Sequence, residues 1–288
     1  MLKRSTILHL RIPFSLYLLP FFCFAISQAE VIHWKNMLLS GFIIHILFYP
    51  ASNGFNSYFD KDEESIGGLK HPPKVDIELY NVSLFLDAIA LLLGLLINVQ
   101  FTIMLFIMGI ASKAYSHPKI RLKKYPFIGL LTVAIFQGAF TYVMSLVAIE
   151  DLQFSQLNKS SILYPACICS LLLMGSYPMT QIYQHGEDGR RGDQTISRIL
   201  GIKGTFLWTG FVFLLAIICF FFFFKTLENP IKFTALLLFL SPVLLFFFKW
   251  FFEVLKDEKL ANFESTMLLN KLSAFGFIGF FIYITIFK

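Results

Sequence analysis

The sequence predicts an all-α, polytopic integral membrane protein, with about nine transmembrane helices in two pseudo-repeated halves around a central cavity. Three observations carry that prediction. Hydrophobic residues make up 57% of the 288 residues and charged residues only 15%, with a mean hydropathy of +0.70. A soluble domain holds roughly 45–50% apolar and about 25% charged side chains. The apolar residues gather into nine stretches able to cross ~30 Å of hydrocarbon, and the basic residues crowd into alternate loops between them. Such a chain has too little polar surface for a soluble enzyme, a disordered segment or a secreted disulfide scaffold.

The nine stretches, in order, are Pro13–Gln28, Asn36–Phe55, Leu79–Val99, Thr102–Ala114, Phe127–Ile149, Ser161–Ile182, Phe206–Phe224, Phe233–Phe252 and Thr266–Phe287. The third and fourth are parted only near Asn98–Gln100, which predicts a tight helical hairpin. No long polar segment interrupts the series, so residues 1–288 are expected to form one membrane domain. The basic start (Lys3, Arg4, Arg11), the apolar run and Ser27-Gln28-Ala29 resemble a cleaved leader. Arg11 and Pro13 lie late for that pattern, however, and the loop charges favour a retained N-terminus on the cytoplasmic side (the inner membrane in a bacterium).

With the N-terminus inside, only Lys35, Lys159, Lys225, Lys232 and Lys288 of the 24 Lys and Arg residues fall outside. A missed or extra helix would scramble this asymmetry, so the positive-inside bias checks span number as well as orientation. It also accounts for the net charge of +6 without a nucleic-acid partner. Cys23, Cys167, Cys169 and Cys219 all lie in apolar stretches and are expected to act as small hydrophobes. The aromatic runs Phe220–Phe224 and Phe246–Phe248 are expected to face lipid or pack helices.

Carboxylates at a membrane are costly unless they bind something, and most of this chain's acids sit in two inner-side places. After the second stretch, Asn56, Asp60 and Glu64 are spaced i, i+4, i+8. If the helix continues, they form a ladder of oxygen ligands on one face. After the sixth, Gln184 and Asp188 repeat the i, i+4 spacing, at the same offset of 124 residues from Asp60 and Glu64. Either cluster alone reads as a solvated loop. Two such ladders on one side suggest an internal duplication with a site between its halves. Mg²⁺ takes oxygen ligands, typically one or two carboxylates completed by substrate phosphates. Basic side chains for those phosphates stand close by: Lys119, Arg121 and Lys123 between the fourth and fifth stretches, Arg190 after the sixth, and Lys70 after the second.

In these residues the chain resembles the UbiA superfamily of intramembrane prenyltransferases. The family's first motif, Asn-x-x-x-Asp-x-x-x-Asp, falls on Asn56, Asp60 and Glu64, with Gly67-Gly68 behind it. Its Tyr-x-x-x-Lys element falls on Tyr115 and Lys119, and its second motif, Asp-x-x-x-Asp, on Gln184 and Asp188. Glu64 and Gln184 depart from the family's Asp; Gln184 offers an oxygen but no charge, and Glu187, roughly 100° from Asp188 around a helix, and Asp193 are the candidates to supply it.

The resemblance implies nine helices around a cytoplasmic-side cavity. It also implies Mg²⁺-dependent transfer of an isoprenyl group from an isoprenyl diphosphate to an aromatic or other lipophilic acceptor within the lipid bilayer. On this reading Asn56, Asp60, Glu64, Gln184 and Asp188 hold metal. Lys70, Lys119, Arg121, Lys123 and Arg190 hold diphosphate, and Asp60, Asp188, Tyr115 and Lys119 form the catalytic set. Two alternatives remain open at this point: an intramembrane terpene cyclase of the same family, and a cation-binding transporter or channel. The latter expects ionisable groups near mid-membrane, where Asp87 is the main case. Asp87 reads first as a polar tie between helices, and otherwise as an acceptor contact.

Overall fold

The computed structural model describes residues 2–287, so Lys288, assigned above to the outer side, lies outside the described residues. Among these, nine helices are long and apolar enough to cross a membrane. They are α1 (Arg4–Gln28), α2 (Trp34–Asp60), α3 (Ile77–Gly94), α4 (Val99–Ser116), α5 (Pro126–Glu150), α6 (Ser160–Arg191), α7 (Ile196–Thr226), α8 (Pro230–Lys256) and α9 (Phe263–Ile286). No strand forms among the described residues; an isolated bridge between Ile66 and Leu69 closes a turn after α2.

The order of spans matches the sequence, and their ends shift where capping chemistry decides. α4 begins at Val99 rather than Thr102 because the Asn98 side chain accepts the Phe101 N–H at 2.7 Å, satisfying one of the helix's orphan donors. Asp76 caps α3 in the same way, accepting the Glu78 N–H at 3.0 Å. Several spans are interrupted. α1 breaks at Arg11, which adopts φ 48, and α2 and α5 each contain a π-helical stretch, Ile43–Phe48 and Ala134–Phe140. α6 is helical over Ser160–Met179, tightens into a 3₁₀ turn at Ile182–Gln184 and ends in a short helix, His185–Arg191.

Packing follows the logic of a bilayer, in which small residues let backbones approach. α6 packs on α7 and on the π-helical stretch of α5, α8 on α9, α9 on α1, and α1 on α5. At Gly138 of α5 a Cβ would stand only 2.8 Å from the Cys169 carbonyl oxygen of α6. Outward faces carry Leu92, Phe106, Leu238 and Leu245, all exposed and suited to lipid. The phenylalanine runs divide between the two expected fates: Phe220, Phe223 and Phe224 are buried while Phe221 and Phe222 are exposed, as the ~100° turn per helical residue requires. Asp87 of α3 pairs with Lys113 of α4 at 2.5 Å, and Lys113 lies 4.7 Å from the Phe55 ring centroid of α2. Asp87 is therefore a tie between helices, and it does not line the cavity described below.

The two ends of the bundle differ. At one end, loops rich in Lys and Arg join across the molecule: Arg121 to Asp193 at 2.7 Å, Lys203 to Glu258 at 3.4 Å and Lys3 to Asp76 at 2.6 Å. At the other, the contacts are hydrogen bonds rather than ion pairs among the described residues, such as His33 N–H to the Ile149 carbonyl at 2.9 Å and the Asn98 amide to the Asp151 carboxylate at 2.7 Å. Beneath that second end the core is filled by rings. Phe24 stacks on Phe281 at 4.5 Å between centroids and meets Tyr142 at 5.3 Å and Phe220 at 5.8 Å.

Candidate active site

The charged end is hollow. A cavity of about 310 Å³ opens there, walled by α1, α2, α4, α5, α6, α7 and α9. Its mouth carries Asn56, Asp60, Asp62, Lys123, Gln184, Asp188, Arg191 and Asp193. Deeper, the lining turns apolar and aromatic, with Leu18, Phe21, Leu172, Phe213 and Phe277.

α2 delivers Asn56 and Asp60 to one wall, one turn apart. The ladder stops there, because Lys61 takes the left-handed conformation (φ 51) and its N–H caps the Ser57 carbonyl. Glu64 is thereby turned outward, where it is exposed and ion-paired with Arg190. Asp62 faces inward instead. Burial pushes the Asp62 carboxyl up, and Asp60 pushes it further, while Arg191 pulls it down through a direct ion pair. The opposing wall is the end of α6. Gln184, in the 3₁₀ turn, donates to the Ser65 carbonyl at 3.1 Å, which leaves its amide oxygen free to accept. The buried Glu187 carboxylate accepts the backbone N–H groups of Glu63 at 2.9 Å and Glu64 at 3.2 Å and pairs with Arg191 at 2.7 Å. The segment after α2 is thus strapped to the end of α6.

The loop between α4 and α5 brings the bases. Lys123 contacts Asp60 and lies 3.3 Å from the Asn56 amide oxygen, which also accepts from Ser116 at 2.6 Å. Arg121 forks onto both oxygens of Asp193, at 3.0 and 2.7 Å, and reaches Asp60 at 3.3 Å. The hydrogen bond to Asp193 raises the Arg121 guanidinium above its already high value, with the charges of Asp60 and Asp193 adding to it. Below the mouth, the Tyr115 and Tyr177 hydroxyls share a hydrogen bond of 2.5 Å.

Of the residues singled out from the sequence, Asn56, Asp60, Tyr115, Lys123, Gln184 and Asp188 line the cavity, and Arg121 touches it through Asp60. Four do not come to it. Glu64 and Arg190 satisfy each other on the surface, Lys70 pairs with Glu264 of α9, and Lys119 is exposed in the loop two residues short of Arg121. The sequence reading passed over Arg11, Asn53, Asp62, Arg191 and Tyr177, all in the lining. Asp62 and Arg191 had a signal, since each lies beside a motif residue. Tyr177 sits inside an apolar stretch and Arg11 in the basic segment ahead of the first one, where spacing carries no hint of a cavity.

The donor set suits a hard divalent cation. Asp188 makes no ion pair among the described residues; its carboxylate accepts only from the Thr195 hydroxyl at 3.4 Å. Lining the same cavity as Asp60, this carboxylate could hold a cation. No group of three or more His, Cys, Asp and Glu is clustered to hold a metal among the described residues. Mg²⁺ usually binds through one or two carboxylates and completes its octahedron with phosphate and water oxygens, and Asp60 and Asp188 are the carboxylates that could supply them here.

Fold and site together define an intramembrane protein with an acid-and-base mouth over an apolar chamber. Residues 16–272 match the model of the UbiA prenyltransferase family, and the chain belongs to that family. A UbiA homolog from Archaeoglobus fulgidus bound to DMAPP and Mg²⁺ superposes with a TM-score of 0.70 at 15% identity, over 99% of this chain and 100% of that one. The apo UbiA homolog from Aeropyrum pernix K1 gives 0.73 at 17% identity, over 96% and 98%. A digeranylgeranylglyceryl phosphate synthase gives 0.58 at 18%, over 99% and 95%. Comparison with the curated proteins yields no match.

Proposed function

We propose that the chain transfers an isoprenyl group from an isoprenyl diphosphate to a lipophilic or aromatic acceptor inside the membrane, in a Mg²⁺-dependent reaction. The observation that carries this is the pairing of Asp60 with an ion-free Asp188 across a mouth that leads into an apolar chamber. Family membership and the likeness to a homolog bound to DMAPP and Mg²⁺ support the same reading. Asp60, Asp188, Asn56 and Gln184 would hold Mg²⁺. The ion supplies charge neutralisation for the departing diphosphate.

The chain's own groups do the rest. Lys123 and Arg121, already at Asp60, turn to phosphate oxygens as the donor arrives, in charge-assisted hydrogen bonds. Glu64, Lys70, Lys119 and Arg190 have no part in this grip. The apolar chamber takes the isoprenoid tail and excludes water. The bond between the allylic carbon and the diphosphate oxygen then breaks, leaving both electrons with the diphosphate. The aromatic faces of Tyr115 and Tyr177 favour the positive charge on the allyl group. An electron pair of the acceptor forms the new bond, and the acceptor loses a proton. The lysine- and arginine-rich end, mouth included, faces the cytoplasm by the positive-inside bias. A transport reading has less to stand on, since Asp87 near mid-membrane is held by Lys113.

The test incubates purified protein with Mg²⁺, allylic diphosphates of several lengths and a panel of phenolic, quinol and alcohol acceptors, with products read by mass spectrometry. Prenylated acceptor is expected from the wild type. Asp60→Asn and Asp188→Asn should each lower turnover by at least about 100-fold, at or beyond the range found for residues that merely support metal ligands; melting should be unchanged in Asp188→Asn, whose carboxylate makes no ion pair among the described residues. Wild-type turnover in either variant removes the metal assignment. A hydrocarbon or alcohol released without acceptor identifies cyclisation instead.

A further inference from the structure

The end of α6 and the start of α7 share a polar chain that the metal and diphosphate contacts leave unexplained. Ser197 and Thr205 of α7 are fully buried, and His185 of α6 is half-buried. His185 Nε2 lies 2.8 Å from Ser197 Oγ, which lies 2.9 Å from Thr205 Oγ1. The Thr205 hydroxyl donates to the Gly201 carbonyl at 2.7 Å, with the Ser197 carbonyl at 3.3 Å as a second acceptor. A hydroxyl has one proton to give. Thr205 commits its own to these carbonyls, so Ser197 donates to Thr205, and His185 donates from Nε2 to Ser197. The chain therefore runs one way, from His185 through two hydroxyls to the backbone of Gly201, and it fixes the ring proton on Nε2.

The backbone is broken to make this contact. In a straight helix, residues eight apart are separated by about 12 Å along the axis, out of reach of two hydroxyls. Gly201 interrupts α7 at φ 68 and ψ 174, a conformation open to glycine and not to other residues. A Cβ there would meet nothing within 4 Å, so conformation rather than space selects glycine. A helical serine can also bond back to the carbonyl four residues earlier, but Arg198 takes the Asp193 carbonyl. Ser197 turns to His185 instead.

The chain ends at the segment that faces the cavity. His185 stands between Gln184 and Asp188, both in the lining. Its bond to Ser197 closes the base of a loop. Inside that loop, Thr195 donates to the Asp188 carboxylate at 3.4 Å and the Asp193 N–H to the Asp188 carbonyl at 2.9 Å. Gln181, also in the lining, accepts the Ser197 N–H at 3.5 Å.

We propose that His185, Ser197 and Thr205 are positioning residues, which latch the Gln184–Asp188 segment to the broken start of α7 and so aim the Asp188 carboxylate at a divalent cation. The inference rests on the prenyl-transfer reading for what Asp188 binds. Hydrogen bonds behind a metal ligand hold its orientation, and their loss weakens the site without touching the ion.

The test measures the affinity for inorganic pyrophosphate by titration calorimetry on the full chain in detergent, with Mg²⁺ and with EDTA. The ratio is the gain that the metal confers. Ser197→Ala is expected to cut this gain by about 10-fold, the low end of the range for groups that orient metal ligands. Thr205→Ser, which keeps the hydroxyl, should retain it. A lower melting temperature in Ser197→Ala with the gain intact marks a structural role only and overturns the proposal. An equal loss in Thr205→Ser overturns it too, since packing rather than the hydroxyl would then matter. Should Ser197→Ala fail to fold, His185→Ala, at the half-buried end of the chain, overturns it by keeping the wild-type gain. A wild type that gains nothing from Mg²⁺ removes the latch together with the metal assignment. A gain lost in Ser197→Ala, in a wild type that transfers no prenyl group, removes the function reading and leaves the latch standing.

Discussion

The same helices build two opposite ends. Toward the packed end, α1 contributes Phe24, α9 contributes Phe280 and Phe281, and α7 contributes Phe220, all nearly or fully buried and packed ring on ring. Toward the charged end, the same α1 offers Arg11 and Ser15, and α9 offers Asn270 and Ser273, to open space. α6 makes the transition within one helix, from buried Cys169 and Leu172 to Tyr177 and then to Gln184 and Asp188. The contrast separates two tasks. Close-packed rings keep one end rigid and dry, so the other end can remain hollow, with its cohesion supplied by ion pairs that a charged ligand can compete for.

Breaking the packed end should cost the most. Phe24→Ala removes a ring at the centre of the aromatic cluster, and a buried Phe→Ala change costs about 3–5 kcal/mol. A clear fall in melting temperature in detergent is expected, with donor KM unchanged. A large KM change with normal melting would show that the two ends are not separate. Loosening the strap at the hollow end should cost less. Glu187→Gln loses its charge-assisted bonds to the Glu63 and Glu64 amides and to Arg191, and such bonds are each worth about 1.5–3 kcal/mol. Hydrogen exchange at those two amides should accelerate by at least about 10-fold, and equal protection would show that the strap lies elsewhere. The smallest effect belongs to Glu64→Gln. Its ion pair with Arg190 is exposed on both sides, where such pairs contribute at most ~1 kcal/mol. Turnover within about threefold of wild type is expected, and a 100-fold loss would return Glu64 to the metal.

How much of this was legible in the sequence depends on whether local chemistry or distant neighbours decide. Asn56 and Asp60 share a face because four residues make about one helical turn, and spacing alone shows that. Glu64 belongs to the same spacing yet leaves the site, since the left-handed turn at Lys61 is braced by Glu187, 126 residues later. Lys119 and Lys123 look equivalent in a basic loop, and only the fold brings Lys123 to Asp60 while leaving Lys119 in solvent. Arg11 reads as an ordinary anchoring charge until the break in α1 is seen.

The sequence by itself determined the membrane environment, the nine spans, the gathering of basic loops at one end and the two acidic segments, because hydropathy and charge are local properties summed along a chain. Tertiary structure decided which of those charges meet. Ion pairs such as Arg191 with Asp62 and Arg121 with Asp193 join residues far apart in the chain. Whether a carboxylate faces a cavity, a base or water is therefore a property of the packed bundle rather than of any segment in it.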